Sequence, residues 1–119
     1  MATNTGDASI AFNRGNNSIA FNSGEDSIAM NEGNYSISAN VGYCGAAVTK
    51  GNDSVAVSLG CDGMAKGSLG SWIIIADFDR KNGSIKEIKS FKVDGKNILS
   101  DTFYKLKDGK PVIVEDNKN

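Results

Sequence analysis

The chain of 119 residues is 39% hydrophobic and 23% charged, which is typical of a folded protein with one compact unit or two small ones. Its formal net charge of -1 produces no long-range field, so neither nucleic acid nor a membrane surface is expected as a partner. Histidine does not occur, which removes the commonest general base and metal ligand.

The chain begins Met-Ala-Thr-Asn-Thr-Gly, without the charged and apolar regions of a secretory signal. No apolar run has the length of a membrane span, so we expect a soluble protein. Glycine occurs 14 times and proline once, a skew that indicates recurring tight turns between short strands.

Tandem units of nine residues run from residue 5 to residue 67 without a slip of register. They read TGDASIAFN, RGNNSIAFN, SGEDSIAMN, EGNYSISAN, VGYCGAAVT, KGNDSVAVS and LGCDGMAKG. Glycine takes the second place in every unit, and we expect it to supply the positive φ of a tight turn at an exposed corner. A fixed short period of this kind is typical of stacked β-arrays.

The fifth to ninth residues of each unit alternate in the manner of a strand. Ile10 and Phe12 lie on one face of the first such strand, and Ala11 and Asn13 lie on the other. Nine residues cannot run out, turn and return to a point one strand spacing above their start, whereas two units can. Residues 1–71 are therefore predicted to form an all-β parallel solenoid, or β-roll, with two nonapeptides, or 18 residues, per coil. A triangular coil of three units is the alternative, although seven units would fill little more than two of its layers.

The strand pattern leaves open which face points inward. If Ile and Phe point inward, each buried side chain contributes about 1.5–3 kcal/mol and a flat surface of Ser and Ala remains outside. If Ser and Ala point inward, a stripe of large apolar side chains lies on the surface and requires a partner chain. That stripe would contain Ile10, Phe12, Ile28 and Met30. We prefer the first arrangement.

Two expectations follow from that preference. An asparagine ends each of the first four strands, near a corner, where stacked amides can hydrogen-bond between layers. These residues are Asn13, Asn22, Asn31 and Asn40. Lys66 takes the place of a core residue in the seventh unit, which predicts that this unit already leaves the solenoid.

Residues 72–119 are predicted to form an antiparallel β-hairpin region that caps the stack. SWIIIADF reads as a strand, the turn after it ends in Asn82-Gly83, and SIKEIKSFKV alternates as the second strand. DTFYKLKDGKPVIVE reads as another hairpin around Asp108-Gly109, and aromatic residues supply the bulk. These aromatics are Trp72, Phe78, Phe91, Phe103 and Tyr104. A cap is needed because the last layer of a solenoid otherwise exposes unpaired backbone and core.

No comparable cap precedes the first unit, since only residues 1–4 are available. The layer of Ile10 and Phe12 is therefore expected to be an exposed end. Either the chain associates through this end or it is the C-terminal part of a longer protein. We expect a homo-oligomer in solution.

The SIAFN and SIAMN strands, each with a glycine four places before its isoleucine, resemble the head repeats of trimeric autotransporter adhesins. The layers of that family carry SVAIG-like strands between Gly-rich corners. This resemblance implies a similar stacked architecture.

A closer resemblance, spanning most of the chain, is to uncharacterised nonapeptide-repeat proteins of phages and prophages. It is carried by AKGSLGSWIIIADF and IKEIKSFKVDGKNILSDTFYKL, and within them by GxLGxW, FKVDG and DTxYKL. The resemblance implies a mobile-element origin and a β-solenoid with a β-rich ending. It implies no activity. Since the sequence shows neither a signal peptide nor a membrane span, we expect a location in the bacterial cytoplasm or a phage particle.

No cofactor, metal site or catalytic residue is expected. Asp77, Asp79 and Glu87 could converge at the first hairpin as a carboxylate pair or a divalent-metal site, but acidic residues beside a turn are usually solvated. The aspartates of the repeat stand at two different places in their units, unlike the regular aspartates of calcium β-rolls. Cys44 and Cys61 are about one coil apart, so they should lie at neighbouring corners where a disulfide is geometrically possible.

A serine ladder is the speculative ligand-binding site, for a glycan or another cell-surface ligand. Its members are Ser9, Ser18, Ser27 and Ser36. The sequence thus favours a non-catalytic structural or attachment module that acts as an oligomer. The alternative is a carbohydrate- or surface-binding module that uses a flat Ser/Ala face, and an enzyme at the carboxylates comes third.

Overall fold

The computed structural model describes residues 1–114 as an all-β chain with no helix in that range. In chain order the strands are β1 (Ala2–Asn4), β2 (Ile10–Asn13), β3 (Ile19–Asn22), β4 (Ile28–Asn31), β5 (Ile37–Asn40), β6 (Ala46–Thr49), β7 (Val55–Ser58), β8 (Met64–Lys66), β9 (Trp72–Phe78), β10 (Ile85–Lys92), β11 (Tyr104–Lys107) and β12 (Lys110–Ile113). Within the described range, no helix could cross a membrane. The five residues 115–119 of the predicted hairpin region lie outside the described residues.

The strands form two six-stranded sheets. Sheet 1 has the order β1-β3-β5-β7-β9-β10, and sheet 2 has the order β12-β11-β8-β6-β4-β2. Within each sheet the repeat strands pair in parallel with an offset of 18 residues, as in Ile10 with Ile28 and Ile37 with Val55. The predicted β-solenoid of 18 residues per coil is confirmed.

The strand face that points inward is the one we did not prefer. The inward residues of the solenoid strands are small, and they are 3% exposed or less. They are Ala11, Ala20, Ala29, Ser38, Ala47, Ala56 and Ala65. Ile10 is 59% exposed and Ile37 is 43% exposed, so the large apolar residues line the outer surface. The preferred arrangement, with Ile and Phe in the core, is therefore wrong.

Short corners explain this inversion. The Nδ2 atom of Asn13, at the end of β2, donates a hydrogen bond of 2.6 Å to the carbonyl of Ile19, the first residue of β3. Asn31 spans the next equivalent corner in the same way, to Ile37 at 2.6 Å. One asparagine side chain thus bridges the two sheets at each of these corners. Sheets held so close together leave room between them for Ala and Ser side chains but not for opposed Ile and Phe.

Glycine is needed at the second place of each unit for a different reason from the one predicted. It does not have positive φ; the residue two places later does, although it is never glycine. These left-handed residues are Ala8, Asn17, Asp26, Tyr35, Cys44, Asp53 and Asp62. The glycine is required by close stacking, because a Cβ on Gly33 would lie 2.0 Å from the carbonyl oxygen of Gly15 in the layer below.

The C-terminal strands extend both sheets and change the packing between them. β9 pairs in parallel with β7 and then in antiparallel fashion with β10, while β11 pairs antiparallel with β8 and with β12. Between these strands the alanine core gives way to a cluster of larger buried side chains. They are Ile73, Ile75, Val93, Ile98, Tyr104 and Leu106.

Two details of the predicted cap need correction. Tyr104 is buried in this cluster and Phe91 packs against it, but Trp72 points outward and is 44% exposed, so aliphatic residues supply most of the bulk. Lys66 lies on the outer face, and β8 stays in register with β6 up to the pair of Val48 with Lys66. The seventh unit therefore remains part of the solenoid.

Candidate functional site

The serine ladder lies at the starts of the strands and is used within the stack. The hydroxyl of Ser36 accepts a hydrogen bond of 3.2 Å from the backbone N–H of Ser18, one layer below, and donates to the carbonyl of Asn34 at 3.1 Å. Ser27 makes the same pair of bonds, with the N–H of Ser9 and the carbonyl of Glu25. Both hydroxyls therefore serve as links between layers.

Burial limits what this ladder can bind. Ser27 and Ser36 are buried, while Ser9 and Ser18 are half-buried. The alanines of the same strand face are inside the stack, so the described chain has no flat outer Ser/Ala surface. The Ser/Ala face on which the carbohydrate-binding alternative depended is the core-facing side of the solenoid.

The asparagines that end the strands also serve the corners. Asn40 is buried; its Nδ2 atom donates to the carbonyls of Ser27 and Ala46, at 2.7 and 3.1 Å, and its Oδ1 atom accepts from the N–H of Gly42 at 2.8 Å. Asn22 donates to the carbonyls of Ser9 and Ile28. The amides thus bond to backbone carbonyls of their own and the adjacent layer, rather than to each other as expected.

The three candidate carboxylates are brought to the same hairpin but not to one site. Asp77 accepts a bond of 3.0 Å from the N–H of Asp108, and Asp79 accepts one of 2.9 Å from the N–H of Lys81. Glu87 pairs with Lys89 at 3.5 Å. Within residues 1–114, no group of three acidic or cysteine side chains is placed to hold a metal ion.

Asp77 and Asp79 line an open cleft of about 690 Å³ between the last repeat corner and the two hairpins. Its lining contains both signs of charge, including Arg80, Lys81 and Lys105. The acidic groups of this cleft are already bonded to backbone N–H groups or to cations. These bonds link the repeat corner, the first hairpin and the second hairpin to one another.

Asp62 ties the cap to the solenoid. It lies at the last repeat corner and pairs with Arg80 of the first hairpin turn and with Lys105 of β11, the latter at 3.5 Å. Burial alone would raise the pKa of Asp62, but hydrogen bonds and charge from Arg80 and Lys105 outweigh it and hold the pKa below its ordinary value. Sequence reasoning missed this residue because both partners are distant in sequence.

The two cysteines lie at adjacent corners, as their spacing predicted. The N–H of Cys44 donates to the carbonyl of Cys61 at 2.8 Å. Both thiols are free and half-buried. Burial, with the charges of Asp62 and Asp26, raises the pKa of Cys44, so this thiol is less reactive than an ordinary one.

The outer surface of sheet 1 is an extended apolar surface with no other part of the described chain packed on it, and we call it the apolar face. It consists of the outward residues of β3, β5, β7 and β9, all of them apolar. They are Ile19, Phe21, Ile37, Ala39, Val55, Val57, Trp72 and Ile74. Thr3 on β1 and Lys92 and Ser90 on β10 border it with polar side chains, and the next outward residue of β10, Ile88, is apolar and exposed.

The outer surface of sheet 2 is different. Its first two strands expose Ile10 and Phe12 and leave Ile28 and Met30 half-exposed, but in β6 the outward residues Ala46 and Val48 are buried. In β8 the outward Lys66 pairs with Asp101 at 3.3 Å and lies 4.6 Å from the ring centre of Phe103. The half of this surface nearer the cap is therefore closed and charged.

Comparison of the chain with protein-family models, with curated proteins and with solved structures finds no match.

Proposed function

We propose that this chain is a non-catalytic structural or attachment module of phage or prophage origin that works as a homo-oligomer. The observation that carries the proposal is the apolar face, which crosses four strands of sheet 1 without a charged side chain and has the indole N–H of Trp72 as its one hydrogen-bonding group. An extended apolar patch with a polar border is typical of a surface that another protein covers.

The polar side chains of the repeat support a structural role. Ser, Asn and Asp side chains bond to the backbone of the adjacent layer, as in the bonds of Glu25 N–H to Asp7 and of Asn34 N–H to Asn16. A stack linked in this way is suited to hold its shape and to present a surface, whereas catalysis requires free polar groups in a cavity.

The proposed origin is supported by the GxLGxW, FKVDG and DTxYKL motifs. In the fold these motifs form the cap: Trp72 begins β9, the FKVDG segment ends β10, and Tyr104 enters the core between the sheets. The motifs that carry the resemblance to the phage and prophage proteins are thus the ones that form the end of the solenoid.

Light scattering coupled to size-exclusion chromatography tests the proposal. At micromolar concentration we expect a mass that is a multiple of 12.5 kDa. A monomeric mass at that concentration would contradict it. So would a hydrolytic activity that is lost in the Asp77→Asn or Asp79→Asn variant, since this would place chemistry in the cleft.

A further inference from the structure

We propose that the apolar face is the contact between two copies of this chain, which pack face to face with their layers in the same order. This inference rests on the proposed function, because it names the partner and the surface through which the oligomer forms.

Sheet 1 is favoured over sheet 2 by the state of their outer surfaces. Outward side chains stay open to solvent on sheet 1 from β3 to β9, with Ile19, Ile37 and Trp72 each 43–44% exposed. On sheet 2 the chain already buries Ala46 and Val48, and Lys66 adds a charge. A second copy can therefore cover four adjacent strands only on sheet 1.

The spacing of the rows favours a second copy over an unrelated partner. The apolar face has one row of side chains per layer, and parallel strands set the rows about 4.8 Å apart. A second copy has rows at the same spacing, so each of its rows can lie opposite a row of the first along the whole stack. The face also has no charged group, and only the indole N–H of Trp72 as a hydrogen-bonding group, to select a different partner.

Charge at the borders selects the orientation. The corners that follow β1 and β3 carry the exposed acidic residues Asp7, Glu25 and Asp26, and neither these corners nor the one after β5 carries a basic residue. The corners that precede β3 and β7 carry Arg14 and Lys50. One long border of the apolar face is therefore acidic. On the other border Glu32 and Asp53 balance the two cations, and Glu32 pairs with Arg14 at 3.5 Å, so this border has no net charge.

A two-fold axis that relates two copies of one face must lie in the plane of the interface. An axis along the strands would set the acidic border of one copy opposite the acidic border of the other. An axis along the stack sets it opposite the border with Arg14 and Lys50 and keeps the layers in order. The packed sheets are about 10 Å apart, close to one Debye length at about 0.1 M salt, so repulsion between two acidic borders is reduced by salt but still disfavours the first orientation.

Trp72 gives a test without substitution, since it is the single tryptophan and lies on the apolar face. On dilution of the wild-type oligomer, the emission of Trp72 should shift to the red over the same concentrations at which the mass falls. An oligomer that dissociates with no change in Trp72 emission would overturn the proposal.

A matched pair of variants locates the interface. Ile37→Lys places a charge in the middle of the apolar face, and Ile10→Lys makes the same change at the equivalent exposed place on sheet 2. We expect Ile37→Lys to weaken association at least tenfold and Ile10→Lys to leave the mass unchanged, with both variants folded by circular dichroism. The reverse result assigns the interface to sheet 2 and leaves the proposed oligomer intact. A monomeric wild type would instead contradict the proposed function itself.

Disulfide trapping tests the orientation. In a chain with Cys44→Ser and Cys61→Ser, variants Ile37→Cys and Ala39→Cys are mixed and oxidised. An axis along the stack brings these two positions together across the interface, so a mixed disulfide dimer is expected. Preferential trapping of Ile37→Cys with Val55→Cys would indicate the axis along the strands and overturn the proposed orientation.

Discussion

The repeat and the cap both fill the space between the two sheets, but with side chains of different size. In the repeat, alanines and serines fill a narrow gap, and hydrogen bonds between layers hold the strands in register. In the cap, larger buried side chains such as Ile73, Ile75 and Leu106 fill the space between the two sheets. The repeat therefore depends on close backbone approach, and the cap depends on apolar volume.

The largest loss of stability is expected when one methyl group is added to a stacked glycine. In Gly33→Ala the new Cβ would lie 2.0 Å from the carbonyl oxygen of Gly15, so the layers must separate. We expect a loss of about 3 kcal/mol or more in the free energy of unfolding, measured by urea denaturation. Gly15→Ala is the control, because its Cβ meets only the hydroxyl of Ser18 at 3.2 Å. An equal loss in both variants would contradict the role of stacking.

In the cap, removal of buried volume should have the larger effect. Ile73 is fully buried in the cluster between the two sheets, so Ile73→Ala is expected to cost about 3 kcal/mol. Ile10→Ala, at an outward position, should change stability by no more than about 0.5 kcal/mol. Thermal denaturation of the two variants checks this difference, and a costly Ile10→Ala would argue against the inverted core.

The joint between repeat and cap should be sensitive to acid. Asp62 has a lowered pKa in the folded chain, so its contribution is present above the unfolded value of about 3.9 and is lost as the pH falls through the folded value. Asp62→Asn should cost about 1 kcal/mol at neutral pH and flatten the dependence of stability on pH below about 4. Asp53→Asn, at the equivalent place of another corner, is the control. If both variants keep the wild-type pH profile, Asp62 does not join the cap to the repeat.

The smallest effect concerns the corner backbone. Ala8 has φ of 54°, a conformation that glycine adopts without strain, so Ala8→Gly should stabilise the chain by up to about 1 kcal/mol. Ala39→Gly, the same change within β5, should destabilise it by about 0.5–1 kcal/mol. Differential scanning calorimetry should therefore give shifts of opposite sign, and shifts of the same sign would show that the corner strain is not real.

The periodicity of the sequence was enough to predict the 18-residue coil, the parallel pairing of the repeat strands and both hairpins. A nine-residue period with strict alternation determines which residues share a face, as for Ile37 and Ala39, but it does not determine which face is inside. That choice depends on the width of the corner, which is set by the bonds of Asn13 and Asn31 across it.

Three other features could not be predicted from the sequence. The left-handed position is occupied by residues as different as Ala8, Tyr35 and Cys44, so no residue type indicates it. Positive φ was therefore predicted for the glycine two places earlier. β1 was missed because Ala2 to Asn4 are only the last third of a repeat unit. Of the candidate carboxylates, Asp77 and Asp79 do line one cleft, but their backbone partners could not be foreseen from spacing.

The central claim is that small residues fill the solenoid and large apolar residues cover it. Thiol labelling tests it most directly, in a chain with Cys44→Ser and Cys61→Ser that carries either Ile10→Cys or Ala11→Cys. We expect the Ile10→Cys thiol to react in the folded chain at nearly its unfolded rate, since this position is 59% exposed. The Ala11→Cys thiol, at a position that is 3% exposed, should react only after denaturation. Protection of the first thiol and free reaction of the second would contradict it.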